Sequence, residues 1–358
     1  MKILFVIPSL DYGGAARQLT LIASGLPRDR FRPRVCVLGR TSPWAEELRA
    51  AGIDVDILGW KRPFEPAPFV ALRRLLAEAR PNVVHFWGRT GLRAAAALAG
   101  GRRTARLFVS AALPIGRRTA WLDRWLLRRA DVVVAFGESE ADRCRDLGVH
   151  SERIAVVAPG VRMASSAPPP ADLPQGRLLF GAGPIEAHKG FRDAVWALDI
   201  LHYLYEDLRL ILAGDGPDRA RLEAFAAAIG VTDRVAFLGR RPDLGPWLHA
   251  AELAWVPSRA GGGVNAALEA MAAGKPVIAA RLPALAEIVI DGEVGCLTPP
   301  GDKTELARQT RFLLNDADRR RACGEAGRRR AAEHFSVEKL VQRCAELYEE
   351  GERGASAP

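Results

Sequence analysis

The chain has 358 residues, 49% of them hydrophobic, and a net charge of +9. That length exceeds one ordinary domain and suits two of average size, while no apolar run reaches the ~18–20 residues of a membrane-spanning helix. The cysteines (Cys36, Cys144, Cys296, Cys323, Cys344) are scattered without a C-x-x-C pair, and the six histidines form no metal-spaced pair. This spacing argues against a disulfide framework and against a metal site.

Met1–Leu10 reads as a first strand and lacks the basic start, long apolar region and cleavage site of a signal peptide; the expected location is cytoplasmic. Short apolar strands then alternate with helical patterns, the signature of doubly wound parallel sheets. Strands are predicted at 2–7, 33–38, 54–58, 83–86, 107–110, 132–136 and 154–157, with helices between them, among them 15–25 and 68–79. Gly13 and Gly14, in P-S-L-D-Y-G-G-A-A-R-Q-L, fall in the first strand-to-helix turn. Glycine there permits close approach of the backbone to a ligand, or serves a tight turn with positive φ; Arg17 follows on the first turn of the helix. In V-V-H-F-W-G-R-T-G, His85 and Trp87 end a strand, where open α/β sheets bind ligands, and are taken as acceptor-side contacts; a lone histidine there also serves as a structural residue. A-W-L-D-R-W-L-L-R-R-A-D carries Trp121, Leu122, Trp125 and Leu126 at helical spacing beside Arg124, Arg128 and Arg129. This suits a membrane-surface helix, but the preferred reading is a core helix with a polar face.

Pro168-Pro169-Pro170 marks a linker, dividing a first domain, 1–170, from a second, 171–335, with 336–358 as a final helix and tail. Charge changes at the same place. Residues 1–170 hold 27 Lys+Arg against 15 Asp+Glu, a balance of +12, and residues 171–358 hold 24 against 27, a balance of −3. A basic first half points to an anionic partner (lipid headgroups, a lipid-phosphate acceptor or nucleic acid) or equally to a solvated arginine-rich surface. Beyond the linker the alternation resumes, with strands starting at Leu178 and then at 208–213, 235–238, 253–256 and 276–279. Helices close the chain at 302–314, 317–334 and 337–350, and Gly351–Pro358 is expected to be disordered.

Four segments of the second half stand out. F-G-A-G-P-I-E-A-H-K-G-F delivers Lys189 and Gly190 on a strand-to-helix loop, a point charge suited to phosphate. L-I-L-A-G-D-G-P-D-R is read as mostly structural. V-A-F-L-G-R-R-P-D-L places Arg240 and Arg241 in a basic turn after a strand. In P-S-R-A-G-G-G-V-N-A-A-L-E-A-M-A-A-G-K-P-V-I-A-A, a buried strand runs into a small-residue loop that opens a helix. Gly262, Gly263 and Val264 offer backbone N–H groups to an anion at that helix start. Asn265 reaches a sugar hydroxyl or caps the helix. Glu269 is the acid placed to accept hydrogen bonds from a ribose, and its small apolar neighbours suit a tightly packed helix.

The last segment, with those around Lys189 and Gly13, resembles the family-4 glycosyltransferases, and the resemblance covers nearly the whole chain. It implies a GT-B architecture: two Rossmann-like domains facing a cleft, with the final helix crossing back to the first. It also implies retaining, metal-independent transfer from a nucleoside diphosphate sugar to a glycan, lipid-linked or small-molecule acceptor, with no cofactor; peripheral contact with an anionic membrane face is an expectation from the basic first half alone. Lys189 and the amides at Gly262–Val264 would hold the diphosphate, Glu269 the ribose, and Arg240 and Arg241 would flank the nucleotide base. The chain departs from the family pattern at Gly261 (an acid in the family), at Pro184 (an arginine, for which Arg259 is the candidate substitute), and at Ser110-Ala111-Ala112, where a histidine is usual. These departures motivate a rival reading, a weak or inactive GT-B protein that binds nucleotide or glycan as a regulatory partner. A GT-B epimerase is disfavoured by the motifs, and nucleic-acid binding lacks an aromatic platform or a known module.

Overall fold

The structure is a computed structural model that describes residues 1–11, 13–39, 43–60, 66–95, 105–110, 120–164, 170 and 173–355. The chain divides into two units, one of residues 1–160 with 337–358 and one of residues 161–336. Most of the Pro168–Pro170 linker segment, at 165–169, lies outside the described residues.

The first unit is a parallel sheet of β1 (Lys2–Ile7), β2 (Arg32–Val37), β3 (Asp54–Ile57), β4 (Val83–Trp87), β5 (Arg106–Ser110), β6 (Val132–Ala135) and β7 (Ile154–Val156), in the order β3-β2-β1-β4-β5-β6-β7. Its central strands are apolar runs because helices cover both faces, so both sets of alternating side chains are buried. Ile3, Phe5 and Ile7 of β1 face a core shared with the helices Gly14–Gly25 and Pro43–Ala50. Leu4 and Val6 face the opposite core, filled from Pro66–Ala79, Gly88–Ala94, Ala120–Arg128 and Glu138–Asp146.

The closing helix, Val337–Ala355, belongs to this unit and buries Leu340, Val341, Cys344, Leu347 and Tyr348 in the first of those cores. It lies so close to helix Gly14–Gly25 that a Cβ on Gly25 would overlap Val341. The expected disorder from Gly351 onward is corrected for part of that segment: the helix continues through Ala355, and 356–358 lie outside the described residues.

The second unit contains β8 (Arg177–Ala182), β9 (Leu208–Ala213), β10 (Val235–Gly239), β11 (Leu253–Val256), β12 (Val277–Ala280) and β13 (Gly295–Thr298), in the order β10-β9-β8-β11-β12-β13, all parallel. The edge strand β13 is absent from the sequence reading. G-C-L-T is too short and mixed to declare itself, and it pairs where Gly295 fits against the Val277 carbonyl with no room for a side chain. Among the described residues, no helix is long and apolar enough to cross a membrane.

The contact between the chain's first and last helices is testable. Gly25→Leu should force the closing helix outward and destabilise the protein by about 1–3 kcal/mol, the usual cost of overpacking, measured by urea denaturation; Gly52→Ala, whose Cβ meets open space but at φ +74°, should cost less.

Candidate functional site

In each unit the strand order reverses direction between two adjacent strands, β1 and β4 in the first, β8 and β11 in the second. At such a reversal the flanking strands send their following loops apart, leaving a crevice at their carboxyl ends where open α/β sheets bind ligands. In the second unit those loops are 183–190, after β8, and 257–263, after β11.

The 183–190 loop is held by the end of β9 and the G-D-G-P-D turn that follows it. Gly183 N–H donates to Ala213 O (3.0 Å) and Ile185 N–H to Asp215 O (3.1 Å), while Asp218 Oδ2 accepts from Ala187 N–H (2.7 Å). A Cβ on Gly214 would overlap Gly183 O, and one on Gly216 would overlap Ile185 O. These glycines are therefore demanded by backbone packing. Pro184 sits between two donating residues, where its missing N–H leaves no gap in the pairing.

The two loops meet at Gly190, which has φ +72° and faces Pro257 O with no room for a Cβ. Arg259 N–H donates to His188 O (2.8 Å) beside this contact. Gly261, Gly262 and Gly263 follow with φ of +62°, +75° and +92°, a run that only glycine adopts without strain. Gly263 caps helix Val264–Ala272, and the Lys189 ammonium lies over Gly262, where an added Cβ would overlap Nζ. The structure thus brings Lys189, Gly190, Gly262, Gly263 and the start of the helix together.

Among the described residues, Nζ of Lys189 has no hydrogen-bond partner. Its burial lowers its pKa, and the field of Glu186 offsets this in part. Val264, Asn265 and Glu269 are half-buried on the helix, whose Ala267, Leu268, Ala270, Met271 and Ala272 are buried. Asn265 and Glu269 stand four residues apart and so share a face. Arg240 and Arg241 are exposed after β10, Arg241 lying over Trp247 at 5.8 Å. Arg259, the candidate replacement for the arginine missing at Pro184, is instead held by Asp193 through two hydrogen bonds of 2.7 Å. Asp193 is buried, and this pairing raises the Arg259 pKa. Gly261, by contrast, faces open space.

In the first unit, Gly13 precedes the helix in an extended conformation, φ −134° and ψ 159°. The tight turn with positive φ is thereby corrected for Gly13. Gly14 is the first helical residue, and Arg17, half-buried, lies over the Trp44 ring at 5.2 Å. A Cβ on Gly13 would meet no described atom nearer than 3.8 Å, so neither φ nor described packing requires glycine there.

His85 and Trp87 are corrected as acceptor-side contacts. They lie on β4 at the centre of the sheet, 0% and 1% exposed. His85 Nδ1 is 2.8 Å from the Tyr348 hydroxyl and Nε2 is 2.8 Å from Ser110 Oγ. Desolvation pushes its pKa down to about 3, so the ring is neutral at ordinary pH. Ser110 is therefore occupied in the core; Ala111 and Ala112 lie outside the described residues. Sequence reading also missed Gln18, which binds the Gly160 backbone in both directions at 2.8 Å. A buried glutamine on an apolar helix face was the only signal for it.

Two Rossmann-like units, each with a crevice at the reversal of strand order, define the GT-B class of glycosyltransferases. Residues 172–330 match the family described as Glycosyl transferases group 1, and residues 12–164 match Glycosyltransferase Family 4. The chain is 30% identical to the lipopolysaccharide core biosynthesis mannosyltransferase LpcC of Rhizobium leguminosarum, over 68% of this chain and 70% of that protein. It is 29% identical to the glycogen synthase of Mycobacterium tuberculosis, over 86% of this chain and 74% of that protein. Anabaena HepE, solved with UDP and glucose, has the same fold, with a TM-score of 0.86, 22% identity, and coverage of 98% of this chain and 99% of that one. The chain belongs to the family-4 glycosyltransferases, enzymes of sugar transfer.

Two outcomes follow for these residues. Gly190→Ala should cost at least about 2 kcal/mol in urea denaturation, through strain and backbone overlap together. His85 is uncharged in the fold but takes up a proton in the unfolded chain below about 6.5, so its contribution is complete above that pH and is lost as pH falls toward 3. The stability advantage of the parent over His85→Gln should therefore shrink by about 1.4 kcal/mol per pH unit between 6 and 4; a constant difference would contradict the buried neutral ring.

Proposed function

We propose that this glycosyltransferase takes its sugar from a nucleoside diphosphate sugar and transfers it with retention of anomeric configuration, without a metal. The observation that carries the reading is the Lys189 ammonium over Gly262, lacking a hydrogen-bonded counter-ion among the described residues, beside a glycine run that opens a helix. A desolvated cation and the N–H groups of a helix start favour an anion, and a nucleoside diphosphate is the anion that transfer from such a donor releases. Gly190 brings the lysine to that place, Glu269 accepts hydrogen bonds from the ribose, Asn265 faces the sugar, and Arg240 flanks the base.

In this reading the bond between the anomeric carbon and the diphosphate oxygen breaks as the acceptor hydroxyl adds on the same face. The acceptor's proton passes to the departing phosphate oxygen. Lys189 and the amides of Gly262, Gly263 and Val264 stabilise the charge that develops there. Gly13 and Gly14, with Arg17, meet the substrate at the carboxyl edge of the first unit's sheet; a glycine at position 13 that the described packing does not require supports this. The acceptor is a glycan, a lipid-linked sugar or a small molecule.

Calorimetric titration with UDP-, GDP- and ADP-sugars tests the donor site, beginning with UDP-glucose, which HepE also bound in a crystal. One sugar nucleotide should bind saturably. Glu269→Ala and Lys189→Met should each weaken it about 10- to 100-fold, the value of a hydrogen bond to a charged group. Because burial depresses the Lys189 pKa, affinity should fall as pH rises into the alkaline range and the lysine loses its proton early. The same burial penalises the charged form in the folded state, so Lys189→Met should melt no lower than the parent at neutral pH. Absence of binding from folded protein would overturn the donor assignment, and a product of inverted configuration by NMR would overturn retention.

A further inference from the structure

The helix Ala120–Arg128 separates its residues sharply. Leu126 and Leu127 enter the core, and Asp123, the helix's one acid, is fully buried between two arginines of the preceding helix. Arg89 Nε is 2.7 Å from Asp123 Oδ2 and Arg93 Nε is 2.9 Å from Oδ1. This clamp fixes which face of the helix turns outward. On that face stand Trp121, 72% exposed, and Trp125, 42% exposed, with Arg124, Arg128 and Arg129, also exposed. The Arg129 guanidinium lies over the Trp125 ring at 4.5 Å. Arg153, exposed on a neighbouring turn, donates to Arg128 O at 2.8 Å and extends the basic rim.

An ordinary surface helix turns its indoles inward. Here the acid is inside and the two tryptophans are outside, ringed by cations, with no acid on the exposed face of the helix. Indoles favour the boundary between headgroups and acyl chains, and arginines favour anionic headgroups. A protein partner would supply acids for the arginines but would need a matching apolar surface; an anionic bilayer supplies both chemistries in one plane. The surrounding charge agrees, because residues 1–170 carry 27 Lys+Arg against 15 Asp+Glu.

We infer that the exposed face of helix Ala120–Arg128 docks the protein on an anionic phospholipid surface, Trp121 and Trp125 inserting at the interface and Arg124, Arg128, Arg129 and Arg153 binding headgroup phosphates. This inference does not rest on the donor reading, since lipid binding is measured without any sugar nucleotide.

Co-sedimentation of the full chain with vesicles tests it, using phosphatidylcholine alone and phosphatidylcholine with about a third phosphatidylglycerol. The protein should pellet with the anionic vesicles and stay largely free with the neutral ones, and binding should weaken as salt rises. Trp121→Ala with Trp125→Ala should lower binding about tenfold or more. Arg124→Ala with Arg128→Ala should lower it about 25-fold, at about fivefold per basic side chain near an anionic surface. All four side chains are exposed, so both variants should keep the parent's melting temperature. Failure to bind anionic vesicles, or binding that neither variant weakens, would overturn the inference. So would a concentration-dependent dimer that the tryptophan variant dissolves, which would make the face a contact between copies of the chain.

Discussion

The backbone contact between Gly190 and Pro257 is the constraint on which the second unit's site depends. Two strands that flank the reversal of strand order send their loops apart, yet here the loops are drawn together until no side chain fits between them. That approach carries Lys189 over the glycine run and sets an ammonium beside a helix start. Burial raises the free energy of the charged lysine, and an anion in the same place would lower it. The glycines after Pro257 answer the same demand, because a chain that turns through three left-handed residues in succession cannot carry side chains without strain.

The neighbouring segments form the scaffold for this contact. The end of β9 and the G-D-G-P-D turn after it supply carbonyls and a carboxylate to the 183–190 loop, and the turn's two glycines lie against that loop's backbone. Arg259 and Asp193 tie the glycine loop to the helix that Gly190 begins. Arg259 thus stands near the site as a strut: its two bonds to a buried carboxylate hold the loop in place. In the first unit the centre of the sheet carries a buried polar link. His85 joins Ser110 of the next strand to Tyr348 of the closing helix, so the last helix of the chain is bonded to the middle of the first sheet.

Much of this was legible in the sequence because it depends on local patterns. Buried parallel strands read as apolar runs, and all twelve predicted strand starts lie within one residue of the observed ones, the small shifts arising because strand ends follow hydrogen-bond register rather than composition. The short edge strand β13 was illegible, because its four residues are held by pairing with β12 and by the fit of Gly295. Lys189 and the Gly262–Gly263 segment were legible as a motif, and the structure brings them to one place. His85 and Trp87 misled, because a strand end looks the same in sequence whether its last side chains face solvent or are buried, His85 here against Tyr348 of the closing helix and Trp87 between His85 and Phe136.

What the sequence determined by itself is therefore the alternation of strands and helices, the two-domain class, and the identity of the small and charged residues after β8 and β11, all set by periodicity and residue type over short stretches. Tertiary structure alone decided which of those residues meet. It turned Arg259 toward Asp193, closed His85 beneath Tyr348, and turned Trp121 and Trp125 outward by burying Asp123 between two arginines. Each outcome depends on a partner from another segment, and no pattern within a single segment encodes the direction in which a side chain finds it.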